Sequence, residues 1–403
     1  MPQPHLDTFD HKVKHKSTIP ANAGVDVELF VREYTKATGS AGTPKPVLML
    51  HGRSVPAVPG FDLVLPAKGS SPNPDTSYSW AQFLAGKGYD VYIMDLQGSG
   101  LSPRPRMEDP CNANPAQRGL LETNPGTATC SPTAPYPHQL GNSQSEWDEL
   151  ATVVKFIRAR CNNEKVSFIG WSAASFVMGP YALQHPGDVA GMFLLAPIFP
   201  PAGRWSTHPE APFAPPPGTG LPAQPESKPP AVFGFPMNLT SKAGLQATIS
   251  DKDLADHVWQ TIIECDSVGQ KWGGTTAGTP EGIMRWRNSY WWGWNTSTVP
   301  YGSTLGTAVP VCIVYGDQDT TANTAEALGP VLHFSVPDLY QAIPGADKLM
   351  IQVEGWDHQP VWERRPNQML QQMSWKWLDD KKVYGVESGS WVMDADGVVT
   401  EVE

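Results

Sequence analysis

The feature that most restricts the fold is a regular exchange of short apolar runs with helical periods. Residues 46–50 (PVLML), 90–94 (DVYIM), 165–169 (KVSFI) and 189–196 read as strands, and residues 78–87, 144–160 and 173–185 between them read as helices. The strands are almost wholly apolar, as strands buried on both faces are, whereas a half-exposed strand alternates. Residues 144–160 place Trp147, Leu150, Val153, Val154 and Ile157 at helical spacing. The exchange resumes with 309–315 (VPVCIVY), 348–353 (KLMIQV) and a helix over 361–378. This pattern predicts an α/β fold: a mostly parallel, twisted sheet with helices on both faces. Residues 25–34 alternate like a half-buried strand, and Asp396-Gly397 between short apolar pairs predicts a small hairpin at the end of the chain.

Two stretches break the pattern. Residues 103–142 are polar and rich in proline, which predicts a long irregular excursion. Residues 197–307 hold many prolines, one clear helix over 251–265, and four of the 15 tryptophans within 285–294 (RWRNSYWWGW). The expected organisation is therefore one sheet domain, 1–196 with 308–403, carrying a Pro- and Trp-rich lid or cap at 197–307. The chain has 37 glycines and 41 prolines among 403 residues, in keeping with long loops.

Charge and composition exclude several functions. With 29 Lys and Arg against 40 Asp and Glu, the net charge is −11. Nucleic acid and anionic membranes both attract a cationic surface, so neither is the expected partner. No apolar run is long enough to predict a membrane span. The N-terminus is polar and lacks the apolar centre of a signal peptide, which favours a cytoplasmic protein or one whose signal has been removed. The five cysteines form no C-x-x-C pair and no zinc-like spacing with histidine, and no metal or cofactor is expected. Cys111 and Cys130 are either a disulfide across the excursion or two free thiols. His11 and His15 stand four apart in a polar stretch without a third ligand. Asn238-Leu239-Thr240 and Asn295-Thr296-Ser297 match glycosylation acceptors, which matter only in a secreted protein.

Gly170-Trp171-Ser172-Ala173-Ala174 lies between a strand and a helix. A serine there sits on a sharp turn that exposes its hydroxyl, and the helix behind it presents free N–H groups and a favourable dipole. The G-x-S triplets ending at Ser54, Ser71 and Ser143 lack that setting. The alternative reading of Ser172 is a helix cap. A serine hydroxyl is a poor nucleophile until a base takes its proton and a carboxylate orients the base.

With this turn in view, the chain resembles the α/β-hydrolase fold superfamily, in its serine esterase and lipase-like branch, over about 25–197 and 308–380. His51-Gly52 after a strand resembles the family's oxyanion loop, and Asp95-Leu96-Gln97-Gly98-Ser99-Gly100-Leu101-Ser102 its D-x-x-G-x-G-x-S turn. Ala174 departs from the usual G-x-S-x-G; it is small enough for the turn. Serine rather than aspartate at 172 argues against haloalkane dehalogenase and epoxide hydrolase chemistry, which needs a carboxylate nucleophile.

The resemblance implies a Ser–acid–His order. Tyr315-Gly316-Asp317-Gln318-Asp319 resembles the family's G-x-x-D turn, which makes Asp319 the acid and Asp317 the alternative. His358, between a strand and the last helix, is the implied base. The implied oxyanion donors are the N–H groups of Ala173 and Arg53. Trp171, Trp291 and Trp292 are candidate walls of a substrate pocket, which would favour a bulky apolar or aryl group. The expected function is a serine hydrolase that cleaves a small-molecule carboxylic ester through an acyl-enzyme. An amidase, a lactonase or an acyltransferase with the same trio is the alternative, and a non-catalytic ligand-binding module is the third reading. A homodimer is compatible with all of these.

Overall fold

A computed structural model describes every residue except 1–5, 37–42, 53–54, 68, 70–71, 105–140, 204–210, 216–236, 268, 272–274, 277–278, 281, 287–290, 329–332 and 403. The excursion expected at 103–142, with Cys111, Cys130 and His138, thus lies outside the described residues apart from its ends.

The strands are β1 (Leu6–Lys16), β2 (Asp26–Lys36), β3 (Pro46–Leu50), β4 (Asp90–Met94), β5 (Val166–Trp171), β6 (Val189–Leu195), β7 (Met237–Ser241), β8 (Thr275–Thr276), β9 (Thr279–Pro280), β10 (Gly282–Trp286), β11 (Val311–Gly316), β12 (Lys348–Val353), β13 (Gly389–Met393) and β14 (Val399–Glu401). Ten of them form one sheet in the order β1-β2-β4-β3-β5-β6-β11-β12-β13-β14. The pairs from β4 through to β13 are parallel, and the antiparallel pairs lie toward the two edges. The apolar runs that predicted the sheet occupy its middle, where β3, β6 and β11 are buried almost throughout.

Register shows why both faces are covered. Ile169 of β5 pairs with Phe193 of β6, so Phe168 and Phe193 point to opposite faces. Phe193 meets Trp80 of the helix Trp80–Gly86 and Trp377 of the helix Arg364–Asp380. Phe168 meets Tyr181 of the helix Ser175–Gln184, which packs beside the helix Ser143–Arg160. Asn142 caps that last helix with a reciprocal bond to Ser145.

Two findings depart from the sequence reading. The polar N-terminus forms β1, an edge strand in register with all of β2. Its inward positions are His11, Val13 and His15, and its outward ones include Asp10, Lys12, Lys14 and Lys16. Histidines at inward positions hid the alternation. Each has a partner: His11 Nε2 lies 2.7 Å from Glu33 Oε2, and His15 Nδ1 2.8 Å from Thr152 Oγ1. The terminal hairpin, β13 and β14, also joins the main sheet, because β13 pairs in parallel with β12.

Residues 197–307 fall between β6 and β11. They contribute the pair β7–β10, the pair β8–β9 and the helix Lys252–Cys265, which is capped by Asp251. Asn295 in this stretch is buried, and its side-chain oxygen accepts from the N–H groups of Ser297 and Thr298.

Candidate active site

Ser172 is the first residue after β5 and opens a 3-10 turn, Ser172–Ala174, that leads into the helix Ser175–Gln184. Its φ is 58°, in the left-handed region that non-glycine residues seldom occupy. Such strain persists only where the surroundings fix it, and it often marks a functional turn. Gly52 supplies one wall of that turn: a Cβ at position 52 would stand 3.0 Å from Ser172 Cβ and 3.5 Å from its Oγ. The Cβ of Ala174, which replaces the family's glycine, lies beside Gly170, where a Cβ would be 3.3 Å from it. Ala174 keeps a right-handed helical φ of −56°, so glycine is not needed there.

The carboxylate and the imidazole arrive from the next two strands. Asp319 follows β11 and His358 follows β12. The two loops touch so closely that only glycine fits at 316, where a Cβ would stand 1.9 Å from the Trp356 carbonyl oxygen. The Gln318 N–H donates to that carbonyl at 3.0 Å. Asp319 is buried; its Oδ1 accepts from the N–H groups of Thr321 and Ala322, both at 2.9 Å. Its Oδ2 lies 2.8 Å from His358 Nδ1, and His358 Nε2 lies 2.8 Å from Ser172 Oγ. A carboxylate can only accept, so Nδ1 carries the proton and Nε2 is left to accept from the serine hydroxyl. Asp317, the alternative acid, faces elsewhere: its Oδ1 accepts from the Gly355 N–H at 2.7 Å. Asp357 accepts from the Gln359 N–H, and burial raises its pKa.

Ala173 is the second residue of the turn, where backbone N–H groups have no partner within the helix. Arg53, the other expected oxyanion donor, lies outside the described residues. The three candidate pocket tryptophans are all buried. Trp171 donates from Nε1 to the His358 carbonyl at 3.0 Å. Trp291 stacks on Phe176, and Trp292 meets Trp147 edge-on while its Nε1 donates to the Phe213 carbonyl.

Sequence reasoning did not assign Asp95 a role, although its motif was visible. Asp95 is fully buried and accepts from the Ala57 N–H at 2.8 Å and the Leu101 N–H at 2.9 Å. It thereby ties the segment after His51-Gly52 to the turn after β4. Sequence reasoning also missed the bonds from Thr248 to Gln359 (2.5 Å) and from Ser250 to Glu363 (2.6 Å), which join the 197–307 stretch to the loop and turn around His358. Neither pair has a motif, because the partners are more than a hundred residues apart. Among the described residues, no group of three or more His, Cys, Asp or Glu is arranged to hold a metal ion, and no helix is long and apolar enough to cross a membrane.

Comparison with known proteins places these residues in a family. Residues 45–351 match the model of the alpha/beta hydrolase fold. No curated protein sequence matches the chain. Among solved structures, a thermophilic esterase from Thermogutta terrifontis is 13% identical, with 91% of this chain and 97% of that one aligned and a TM-score of 0.45. A serine hydrolase from Cycloclasticus zankles is also 13% identical, over 93% and 100% of the two chains, with a TM-score of 0.44. A thioesterase domain from the curacin biosynthetic pathway is 12% identical, over 90% and 99%, with a TM-score of 0.45. The family assignment rests on the sequence-model match, which spans well over half of the residues: the chain belongs to the alpha/beta hydrolase fold family.

Proposed function

We propose that the protein is a serine hydrolase that cleaves a carboxylic ester through an acyl-enzyme. The observation that carries this reading is the continuous hydrogen-bonded line from Asp319 through His358 to Ser172, with both links at 2.8 Å. In the proposed reaction, His358 Nε2 takes the Ser172 proton as Oγ attacks the ester carbonyl. Charge collects on the carbonyl oxygen, facing the Ala173 N–H and a second donor that we assign to Arg53. Asp319 holds the imidazole and stabilises its protonated form. The imidazolium then gives its proton to the departing alcohol, leaving the acyl group on Oγ. Water, deprotonated by the same imidazole, attacks that acyl group; the acyl–Oγ bond then breaks, the imidazolium returns its proton to Ser172 Oγ, and the carboxylic acid leaves.

Residues 197–307 act in this reading as a lid, supported by their ties to Gln359 and Glu363. The expected preference for bulky apolar or aryl groups rests on Trp171, Trp291 and Trp292, all of which are buried, and a panel of p-nitrophenyl esters of rising acyl length, bulky aryl esters and lactones tests it.

The deciding experiment is Ser172→Ala, with fluorophosphonate labelling of the wild type. Ester turnover should fall by at least about 10³-fold with the fold intact, and the probe should attach to Ser172. Undiminished turnover in the variant, or an unlabelled wild type, overturns the reading. Turnover should also fall toward acid pH, because a protonated His358 cannot accept the serine proton.

A further inference from the structure

We propose that Trp171 is a positioning residue for His358, rather than a wall of the substrate pocket. The inference rests on the roles given to Ser172 and His358 above. The indole of Trp171 is 3% exposed, which leaves little of the ring for a ligand. Its polar edge has a specific partner, since Nε1 donates to the His358 carbonyl at 3.0 Å. The ring is held from other sides as well. Trp362 meets it edge-on at 5.5 Å, and Gly60 lies so close that a Cβ there would be 3.3 Å from the ring. Trp362 is itself anchored by donating to the Pro59 carbonyl at 2.9 Å.

The need for such a hold is visible in the loop. Up to Trp356, the backbone after β12 is fastened by Glu354 N–H to Met393, Gly355 N–H to Asp317 and Gln318 N–H to Trp356. Among the described residues, the backbone bonds recorded for 357–359 are Trp171 to His358, Gln359 to Asp357, and Trp362 N–H to the Gln359 carbonyl. Of these, only the first reaches across to the strand that carries Ser172. Trp171 immediately precedes Ser172 in the chain, so its indole sets the backbone of the base by reference to the nucleophile. A displacement of about 1 Å in such a pair costs about 10²-fold in rate.

The test compares two substitutions. Trp171→Phe keeps an aromatic ring and removes the donor. Trp171→His removes the outer ring but returns a ring nitrogen to the place of the indole Nε1, because both lie at the same position of a five-membered ring. The expected result for Trp171→Phe is a loss of kcat of at least about 10-fold, an unchanged KM on a small p-nitrophenyl ester, and an equal slowing of fluorophosphonate labelling. Trp171→His should recover much of the lost kcat even if its melting temperature is lower. A wild-type kcat in Trp171→Phe, an effect confined to KM that grows with acyl size, or no recovery in Trp171→His overturns the inference. Should Trp171→Phe not fold, Trp171→His decides alone: a near-wild-type kcat supports the proposal, and a change in KM only overturns it. An unlabelled wild type overturns the parent reading, whereas a labelled wild type with equally fast variants overturns this inference and leaves the parent standing.

Discussion

Asp62 and Glu149 are buried carboxyls, and what surrounds each decides its charge. Asp62 collects hydroxyl and amide donors from Tyr34, Ser79 and Gln82, with Arg32 nearby, yet burial still raises its pKa. Glu149 has less help: the Gln97 N–H at 2.8 Å and the Gln97 side-chain amide at 2.7 Å, with no cation among the causes of its shift. Burial, opposed by those two bonds and reinforced by Glu146 and Asp148, pushes its pKa up to about 8. Gln97 Oε1 is buried without a hydrogen-bond partner among the described residues, so a half-turn of that amide would let it accept from a protonated Glu149. An unfolded chain releases this proton near about 4.3, whereas the folded one keeps it to about 8. Between those values the folded state holds more protons, so rising pH lowers stability, by at most about 1.4 kcal/mol per unit. Urea titrations from pH 5 to pH 8 should show the wild type losing stability relative to Glu149→Gln, which cannot ionise. Parallel pH dependences in the two proteins would refute a protonated Glu149. A second prediction at this scale concerns Gly52. Gly52→Ala places a methyl group 3.0 Å from Ser172 Cβ, so kcat should fall by about 10-fold or more with little change in melting temperature. Wild-type turnover in that variant would show that the turn has slack.

Elements differ in how much of them the sequence discloses, and burial explains the difference. Strands β3, β4, β6, β11 and β12 announce themselves because both of their faces are covered, so nearly every residue is apolar. Strand β1 does not, because one face meets solvent and two of its inward positions are histidines with polar partners. Ser172, Asp319 and His358 are legible as candidates because each follows a readable strand, and the coordinates bring these three distant residues within hydrogen-bond reach of one another. The ties around them were unreadable, since Trp171 acts on a backbone carbonyl and Thr248 on a side chain far along the chain. The same holds for the ion pair between Arg104 and Asp266, which joins the turn after β4 to the end of the helix Lys252–Cys265. Both side chains are almost wholly buried, and Arg104 also donates to the Gly98 carbonyl. Removing one partner leaves the other charge buried without a counter-ion. Asp266→Ala should therefore cost about 3–5 kcal/mol in a denaturant titration, and the apolar double variant Arg104→Met with Asp266→Leu should recover most of it. A loss below about 1 kcal/mol, the range of surface pairs, would mean that water reaches the pair.

At the scale of the whole molecule, the sheet makes one end of the chain a support for the site. Without β13, strand β12 would be an edge, and its N–H and C=O groups would stand open to solvent or to other chains. With β13 in place, every residue from Leu349 to Val353 has a neighbour in register, and the Glu354 N–H donates to the Met393 carbonyl at 2.9 Å. That bond is the first fastening of the loop that ends in His358. Strand β14 then covers β13, with Trp391, Val392 and Met393 paired to Glu401, Thr400 and Val399. The terminal hairpin is therefore coupled to His358 through β12, although it lies far from Ser172 in the order of strands. Stopping the chain after Glu387 should lower the melting temperature by several degrees, because one kcal/mol corresponds to roughly 2–4 °C in a domain of intermediate size. It should also increase aggregation through the bare edge of β12. Ester turnover per folded molecule, counted by active-site titration, should fall as the loop after β12 loosens. A truncated protein that melts, stays monomeric and turns over like the full chain would show that β12 and the His358 loop hold their geometry without the hairpin.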